Sequence, residues 1–397
     1  MANTFTSYEL DRIFAMALLY LRRKTAVMSY VTKEPLEAAL MPARKGQDII
    51  ITLDEAEGED ATDVIPGPTP PTPTGRELKT AKVSLNQYKK RNFALTDQEA
   101  TQLREGTLTT LMQACLDGLA RTIVKYVFRQ MRLEFYHHVG TAGTTPFASD
   151  TTVAKQARVL LDNARCPLEN RYMILDFDAD ANAASLDILR RLDARGDFAG
   201  LTLQEGRVIG RALGFDWDSD GYIPTHTRLL ANSSADLAIN GAVLAGATTC
   251  NMDGTSVTGT LNEGDVFRVA NVDGYFVVEA TATAAGNALT GVSFYPPAPA
   301  GGFANDAAVT LAGTVNVPYK TSFAFHRSAV CFASRRLDDA EIMIGGSEIR
   351  TEVDPVTGIW YQMEIQRQYA QTMFEMRALY GCTVPESRRG LGVKVLG

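Results

Sequence analysis

The sequence predicts an α+β chain, and three observations support that prediction. From Thr107 onward, apolar residues recur at intervals of three and four over about thirty residues, the pattern of a long amphipathic helix. Between Leu229 and Val317 the chain is rich in Ala, Gly, Thr, Val and Asn, and its one basic side chain is Arg268, which indicates a separate β-module. Near the C-terminus, apolar residues alternate from Ile359 to Ile365, as they do in a strand.

The composition predicts a soluble chain of two or three domains. Its 397 residues are 45% hydrophobic and 21% charged, and a domain typically takes roughly 150 residues. The apolar run from Ile13 to Tyr20 is short, and Arg22, Arg23 and Lys24 follow it, which is the wrong charge order for an export signal. The run predicts an amphipathic helix beginning after Ser7, so no membrane partner is expected.

Cysteine spacing and net charge exclude further classes. The five cysteines never form a CxxC pair, which argues against a disulfide framework or a zinc knuckle and favours synthesis in a reducing cytoplasm. The net charge is −7 and the sequence contains no basic tract, so dedicated nucleic-acid recognition is not expected and only non-specific contact remains. No cofactor or metal is indicated.

Residues 47–95 predict a projecting two-stranded arm. A Pro-rich tip between Val64 and Gly75 cannot form ladder hydrogen bonds and prefers extended geometry. The limb before the tip is acidic and the limb after it is basic, so the limbs can pair with each other or with another copy. An isolated ribbon is marginal in water, so we expect the arm to lie on a partner surface. A disordered surface loop is the alternative.

The arm supplies the candidate residues for contact between subunits. They are Asp54, Glu55, Glu57, Glu59, Asp60, Pro66, Pro70, Pro71, Arg76, Lys79 and Lys82.

Helix and turn signals organise the chain on both sides of the module. Thr96-Asp97-Gln98-Glu99 is a capping box, and the helix from Thr107 to His138 is roughly 45 Å long at 1.5 Å per residue. A rod of that length suggests the backbone of a flat or extended body. After the module, we expect a strand region from Ile342 to Ile349, a turn at Asp354 to Gly358, and Phe374 to Val384 as the partner of the strand before it.

The module contains the strongest local signal of the sequence. The runs Asp265 to Val272 and Tyr275 to Thr281 are separated only by Asp273-Gly274, the signature of a two-residue type I′ hairpin. Alternation places four side chains on matching faces, and they are the core candidates of the module: Phe267, Val269, Phe276 and Val278. Further runs at Leu289 to Tyr295 and Ala307 to Ala312 predict a small closed barrel or sandwich. The flanks, 210–217 and 319–326, are expected to be neighbouring strands of a host sheet.

Candidates for chemistry are few. Asp216 to Gly221 matches half of a calcium loop, but the twelfth position is Thr227 where a bidentate Glu is needed. Asp176, Asp178 and Asp180 fit either alternate carboxylates on a strand face, as in glycosidases, or the acidic N-terminus of a helix. His137 and His138, placed at the end of the long helix, point about 100° apart and do not easily share a metal.

The order of these parts resembles the major capsid proteins of tailed bacteriophages. The motifs that carry the resemblance are Met1 to Ser7, the charged arm, the long helix, Leu261 to Phe267, Phe323 to Ser328, Tyr380 to Val384 and Arg389 to Leu396. More narrowly, the chain resembles the short-tailed Salmonella phage coat proteins, which carry an inserted β-barrel in the Hong Kong 97-type fold.

The resemblance implies five regions. They are an N-terminal arm (1–46), an extended loop (47–95), a peripheral domain with the long helix as its spine (96–149 and 345–397), an axial domain (150–227 and 319–344) and an inserted β-barrel (228–318). It also implies a non-enzymatic protein that assembles with itself into pentamers and hexamers of an icosahedral shell. A scaffolding protein would guide assembly of a procapsid in the host bacterial cytoplasm, a portal would admit double-stranded DNA, the shell would expand, and a decoration protein is a further potential partner.

Two other function classes stay open on the sequence alone. A secreted carbohydrate-active enzyme fits the β-content and the Asp clusters, although the export signal and a catalytic constellation are missing. A phage tail or adhesin component fits the Ala-, Gly- and Thr-rich module, although such proteins usually carry fibrous repeats, which are absent here.

Overall fold

The computed structural model confirms an α+β chain. It describes residues 26–35, 40–53, 79–102, 107–191, 197–231, 237–337, 348–354 and 357–397. The predicted helix after Ser7, the acidic limb, the Pro-rich tip and the start of the strand region at Ile342 lie outside the described residues. Among the described residues, none of the helices combines the length and the apolar character that a membrane span requires.

The long helix is the largest helical element. The described α-helices are α1 (Asp97–Gln102), α2 (Thr107–Glu134), α3 (Thr152–Asn163), α4 (Phe177–Ser185), α5 (Asp187–Arg190) and α6 (Asp197–Glu205). Three short 3-10 helices span Ala26–Tyr30, Arg327–Ala329 and Glu386–Leu391. The capping box before α1 forms, because the Thr96 backbone N–H donates to Glu99 Oε2 at 3.0 Å and the Glu99 N–H donates to Thr96 Oγ1 at 3.3 Å. The helix α2 ends at Glu134, four residues before the predicted end.

One host sheet lies beside α2 and contains long antiparallel strands. Its strands are β1 (Thr32–Lys33), β4 (Gln87–Thr96), β19 (Cys331–Arg335), β20 (Glu348–Val353), β21 (Trp360–Gln368) and β22 (Gln371–Thr383). The order is β1-β19-β22-β21-β20, and β4 also pairs with β22. The predicted turn at residues 354–358 is closed by a hydrogen bond from Gly358 N to Asp354 O at 2.7 Å. The predicted pairing of β21 with β22 is confirmed.

A second host sheet of seven strands joins the middle of the chain to its C-terminus. Its strands are β5 (His137–Gly140), β6 (Arg171–Leu175), β7 (Arg211–Ala212), β8 (Phe215–Ser219), β9 (Thr225–Thr227), β18 (Pro318–His326) and β23 (Gly392–Leu396). The order is β5-β23-β18-β6-β8-β7, with β9 paired to one end of β18. The sequence therefore correctly predicted that the two flanks of the module lie in one sheet. The prediction that they are neighbouring strands was wrong, because β6 lies between β8 and β18. The strand adjacent to β18 at the module is β9.

A two-stranded hairpin has no strand pairing with either host sheet in the described part of the chain. Strands β2 (Asp48–Thr52) and β3 (Thr80–Ser84) pair antiparallel, and the intervening residues 54–78 are outside the description. The prediction of one continuous limb up to residue 95 was wrong. The chain breaks at Leu85-Asn86, after which β4 turns to pair with β22 instead of continuing the hairpin.

The inserted module leaves the host after β9 and returns at β18. It consists of β10 (Ala238–Ile239), β11 (Thr249–Asp253), β12 (Thr260–Leu261), β13 (Val266–Val269), β14 (Phe276–Val278), β15 (Ala282–Thr283), β16 (Ala288–Tyr295) and β17 (Val309–Leu311). Six strands form one sheet in the order β10-β11-β16-β14-β13-β17. The outer strands of that order also meet, because Ile239 N donates to Ala307 O at 3.0 Å and Val309 N donates to Leu237 O at 2.7 Å.

The two strands of the predicted hairpin do pair, but the prediction of a two-residue turn at Asp273-Gly274 was wrong. The strands β13 and β14 pair Phe267 with Phe276, so the connecting loop is longer than two residues. A turn closed by a hydrogen bond from Val272 N to Val269 O, with Asn271 at φ 61°, interrupts the first strand before the Asp-Gly pair is reached. The turn chemistry of Asn271 therefore prevailed over the alternating pattern that continued to Val272.

The described residues form three apolar cores. The largest joins α2 to both host sheets, and its side chains include Phe128, Phe135, Phe323 and Met376. The second lies inside the module, and the third lies beneath the β2-β3 hairpin. The module thus buries its own apolar side chains, while the regions on either side of it share one core.

Candidate assembly surfaces

The β2-β3 hairpin is fastened to the host by one face only. Ile49, Ile51 and Val83 are at most 4% exposed and pack, in the third core, with Cys331 and Leu379 of the host sheet. The other face is open, and Ile50 is 70% exposed. A strand pair with one open apolar position and no strand at its outer edges among the described residues is suited to contact with another molecule.

The hairpin approaches the host sheet through a glycine. A Cβ atom added to Gly381 in β22 would lie 2.2 Å from the Ser84 carbonyl oxygen, a distance that van der Waals radii forbid. Only glycine therefore permits this contact.

Two of the predicted subunit-contact residues lie in the described part of the arm. Lys79 is exposed, and Lys82 Nζ lies 2.8 Å from Asp48 Oδ2 across the hairpin. Hydrogen bonds from Lys82 and Ser84 hold the pKa of Asp48 below its usual range. The remaining candidates fall in the segment outside the description: Asp54, Glu55, Glu57, Glu59, Asp60, Pro66, Pro70, Pro71 and Arg76. An ion pair between the limbs thus exists at the base of the arm, and the role of the rest stays a prediction.

A layer of three short helices carries an exposed apolar surface. Helix α4 contacts α5, and α5 contacts α6. Large apolar side chains on these helices are open to solvent, and we call them the apolar helical face: Phe177 at 60%, Ile188 at 48%, Phe198 at 48%, Leu201 at 43% and Leu203 at 71%. Several large apolar side chains exposed within thirty residues mark a contact surface far better than one isolated residue does.

A buried polar cluster anchors the module to the host. Arg132 of α2 donates from Nη1 to His226 Nδ1 at 2.9 Å and to the Glu263 carbonyl oxygen at 3.2 Å. His226 Nε2 lies 2.6 Å from Asp265 Oδ1, and Lys394 donates to the Gly264 carbonyl oxygen at 3.0 Å. Because a guanidinium only donates, His226 Nδ1 accepts and Nε2 carries the proton that is donated to Asp265. Burial lowers the pKa of both Arg132 and Lys394.

A second contact joins the module to the C-terminal end of α2. Arg389 lies between Glu134 of α2 and Glu279 of the module, with Nη2 at 2.5 Å from Glu134 Oε2 and Nη1 at 2.8 Å from Glu279 Oε1. Its guanidinium carbon lies 4.3 Å from the centre of the Tyr295 ring, within cation–π range. The module is therefore held at the C-terminal end of α2 by two neighbouring groups of polar and ionic contacts, since Arg132 and Glu134 are only two residues apart.

The four side chains named as core candidates of the module are all buried. Phe267, Val269 and Val278 are 0% exposed and Phe276 is 2% exposed. Phe267 and Phe276 stack at 5.4 Å between ring centres, and Phe294 and Phe303 complete the aromatic cluster.

The carboxylates near Asp176 do not form a catalytic pair on a strand. Asp178 and Asp180 lie in the first turn of α4 and Asp176 precedes it, so the interpretation as a helix N-terminus is confirmed and the strand interpretation was wrong. The Asp216 to Gly221 stretch is strand β8 followed by a turn. Among the described residues, no group of three His, Cys, Asp or Glu side chains is arranged to hold a metal ion.

The adjacent histidines lie in a strand and not at a helix end. His137 and His138 belong to β5, which pairs in parallel with β23. Burial lowers the pKa of each imidazole to about 4, so both are neutral at pH 7. The helix prediction failed here because the apolar periodicity ends at Phe135.

Sequence reasoning missed the anchoring cluster and the charge pattern of α2. Arg132, His226, Asp265 and Lys394 are far apart in sequence, and no local motif links them. Three basic residues of α2 recur at intervals of four, at 121, 125 and 129, and this spacing was visible once the helix had been predicted.

Comparison with known proteins finds similarity in structure only. No family model matches the sequence, and no curated protein matches it. The solved structures with a similar fold include capsids of bacteriophages and a virus-like particle. A capsid structure of the cyanophage P-SCSP1u is 14% identical, with 92% of this chain and 86% of that chain covered and a TM-score of 0.46.

Two further solved structures cover similar lengths of the chain. The mature capsid of bacteriophage PhiM1 is 10% identical over 92% of this chain and 85% of that chain, with a TM-score of 0.41. A virus-like particle from Pyrococcus furiosus is 7% identical over 97% of this chain and 98% of that chain, with a TM-score of 0.42.

Proposed function

We propose that this chain is a phage major capsid protein that assembles with itself into a closed shell. The observation that carries the proposal is the apolar helical face, because five large apolar side chains on α4, α5 and α6 are 43% to 71% exposed. The open face of the β2-β3 hairpin is a second contact surface on a different element. A chain with contact surfaces on several elements can bind several neighbours at once, and a closed shell multiplies such modest contacts.

We assign the regions of the chain by the Hong Kong 97-type arrangement that the sequence resembles. In this proposal α2 is the spine of a peripheral domain (96–149 and 345–397), and residues 150–227 and 319–344 form the axial domain. The apolar helical face would then meet its copies around the centre of each pentamer or hexamer. Residues 1–46 would be the N-terminal arm, and the β2-β3 hairpin with the tip between its strands (48–84) would project onto a neighbouring subunit, whereas β4 stays in the host sheet with β22.

The inserted module, 228–318, is in this proposal a closed β-barrel. Hydrogen bonds between Ile239 and Ala307 and between Val309 and Leu237 support closure, because they join the first and last strands of the six-stranded order. Closure removes exposed sheet edges, which suits a module at the surface of an assembly.

The remaining partners follow from the same proposal. A scaffolding protein would guide a procapsid in the host bacterial cytoplasm, a portal would admit double-stranded DNA, the shell would expand on packaging, and a decoration protein would bind outside. The mature protein would reside in the virion capsid and would act structurally, without catalysis.

The test is assembly of the chain co-expressed with its scaffolding partner, followed by negative-stain electron microscopy and sedimentation. Uniform icosahedral shells are expected from the wild-type chain. Leu203→Ser should leave a folded subunit, because Leu203 is 71% exposed and contributes little to the free energy of folding. It should reduce shell yield at least tenfold, because it removes an apolar side chain from the apolar helical face. Gln204→Ser, an exposed neighbour on the same helix, is the matched control. A discrete small oligomer from the wild-type chain would refute the shell, and normal shells from Leu203→Ser would refute the role of the apolar helical face.

Deletion of residues 64–74 tests the arm independently. We expect the deleted chain to fold and to fail in shell formation. Normal shells from the deletion would show that the arm tip does not contribute to assembly.

A further inference from the structure

The solvent face of α2 carries a single row of positive charges. Arg121, Lys125 and Arg129 are all exposed and follow one another at intervals of four. At 1.5 Å and about 100° per residue, each step advances about 6 Å along the helix and turns about 40° around it, so side chains four apart are neighbours on the helix surface. The row therefore follows one ridge of a rigid rod, inclined by about 26° to the helix axis.

The edge strand β4 widens this row. Lys89 and Arg91 are exposed and pair with Ala378 and Met376 of β22, whose side chains are buried on the side of the sheet that faces α2. Arg91 lies against the helix, because a Cβ atom on Gly118 would be 3.3 Å from Arg91 Nε. We call the set Lys89, Arg91, Arg121, Lys125 and Arg129 the basic face.

The basic face is not neutralised within the part of the chain that the structure describes. Among the described residues, no acidic side chain forms an ion pair with any of these five cations. The acidic residue on the adjoining turn of α2, Asp117, is half-buried. The basic face is therefore a positively charged surface on a chain whose net charge is −7.

Two of the cations lie over the face of one aromatic ring. The guanidinium carbon of Arg121 and Nζ of Lys125 lie 5.8 and 5.9 Å from the centre of the Tyr222 ring. Contact with the ring limits the mobility of both side chains, so less conformational entropy is lost when they bind an anion.

We propose that the basic face binds the phosphate backbone of double-stranded nucleic acid without sequence preference. A continuous row of like charges matches a linear polyanion, and backbone contacts of this kind require no base-reading groups. An acidic protein partner is disfavoured, because protein interfaces rely on buried apolar anchors and, among the side chains that the structure describes, no exposed large apolar one lies on α2 or β4.

This inference rests on the proposed shell function and deepens it. In a shell that encloses double-stranded DNA, the basic face would be the side of the subunit that faces the packaged duplex. The sequence alone suggested only incidental contact, because the five cations are dispersed over forty residues and converge only after folding.

The experiment measures binding of the purified full chain to a fluorescently labelled 30-base-pair duplex by anisotropy, from 50 to 200 mM salt. Five phosphate contacts predict a slope of log affinity against log salt of about −4.5, which is a loss of about 500-fold over this range. The triple variant Arg121→Gln, Lys125→Gln, Arg129→Gln should retain a slope of about −1.8 and lose only about 12-fold. A charge-matched control replaces Lys155, Arg158 and Arg190, which are exposed on α3 and α5, with Gln.

The control variant should behave like the wild-type chain. Equal binding by the triple variant and the wild type, or wild-type binding that does not depend on salt, would overturn the proposal. A polyglutamate peptide that binds as tightly as DNA and loses affinity equally in the triple variant would identify an acidic protein partner instead. Failure of this inference is separable from failure of the shell function: wild-type shells without duplex binding refute only the basic face, whereas no shells from either chain refute the shell.

Discussion

Replacing Asp265 with Ala should weaken the junction between the module and the long helix. Its carboxylate is 3% exposed and accepts hydrogen bonds from His226 Nε2 at 2.6 Å and from the Asn262 backbone N–H at 2.7 Å. A hydrogen bond to a charged group contributes about 1.5 to 3 kcal/mol, and removal of one partner from a buried ionic contact costs about 3 to 5 kcal/mol. We expect the free energy of unfolding to fall by about 4 kcal/mol, because Arg132 also loses its nearby negative charge.

Urea unfolding measures this loss with two probes. Trp217 and Trp360, the only tryptophans, lie outside the module, so their fluorescence follows the host while far-ultraviolet circular dichroism follows the whole chain. With an m-value of about 3 kcal/mol/M, a loss of 4 kcal/mol lowers the midpoint by about 1.3 M. The transition followed by circular dichroism should move to a lower urea concentration, because the module and its junction with α2 unfold together.

The matched control is Asp273→Ala, the same chemical change at an exposed turn of the same module. Its free energy of unfolding should stay within about 0.5 kcal/mol of the wild type. A midpoint for Asp265→Ala that differs from the wild type by less than about 0.2 M would refute the reasoning, since it would show that the ionic contacts only balance the cost of burying the charges.

Three further predictions concern other parts of the chain. Gly381→Ala should displace the hairpin, at a cost of about 1 to 3 kcal/mol and with loss of shell formation, whereas Gly301→Ala, which meets no atom within 4 Å, should change neither thermal stability nor shells seen by electron microscopy. Phe294→Ala should destabilise the module by about 3 to 5 kcal/mol in urea unfolding followed by circular dichroism, and Phe294→Leu should cost less, because Phe294 is 0% exposed among three other aromatic rings. Asp220→Asn should raise the free energy of unfolding at pH 7 by about 1 to 2 kcal/mol and leave it unchanged at pH 3.5. Burial raises the pKa of Asp220 to about 6, so the stability that its bound proton contributes is lost as pH rises from about 4 to 6. An equal gain in stability at both pH values would contradict this raised pKa. An equal gain from Asp187→Asn, at an exposed carboxylate, would contradict it as well.

Regular patterns in the sequence predicted the elements that local chemistry determines. The capping box before Asp97, the long helix from Thr107 and the pairing of β21 with β22 each depend on residues close in sequence. The predictions that failed were those in which a neighbouring element decided the outcome. The second limb of the arm broke at Leu85 because β22 offers β4 a long antiparallel partner, and this competition is not visible in either strand alone.

The candidate surfaces were predictable to different degrees. Opposite charge across the arm was read from the sequence, and the pair of Lys82 with Asp48 lies at its base. The apolar helical face was not foreseen, because exposed apolar residues such as Phe198 and Leu203 are indistinguishable from core residues without a structure. The basic face could have been inferred from the spacing of Arg121, Lys125 and Arg129, but its extension by Arg91 required the packing of β4 against Gly118.

The attachment of the module at paired strands makes this point of the host a natural grafting site. Thr227 and Pro318 face each other in the pairing of β9 with β18, so the two chain ends lie about one strand spacing, 5 Å, apart. A tight turn could bridge that gap, and another domain whose termini lie side by side could replace the module. Any such exchange would leave Arg132, His226 and Lys394 without the partners that the module supplies, so these three residues would have to be replaced together with it.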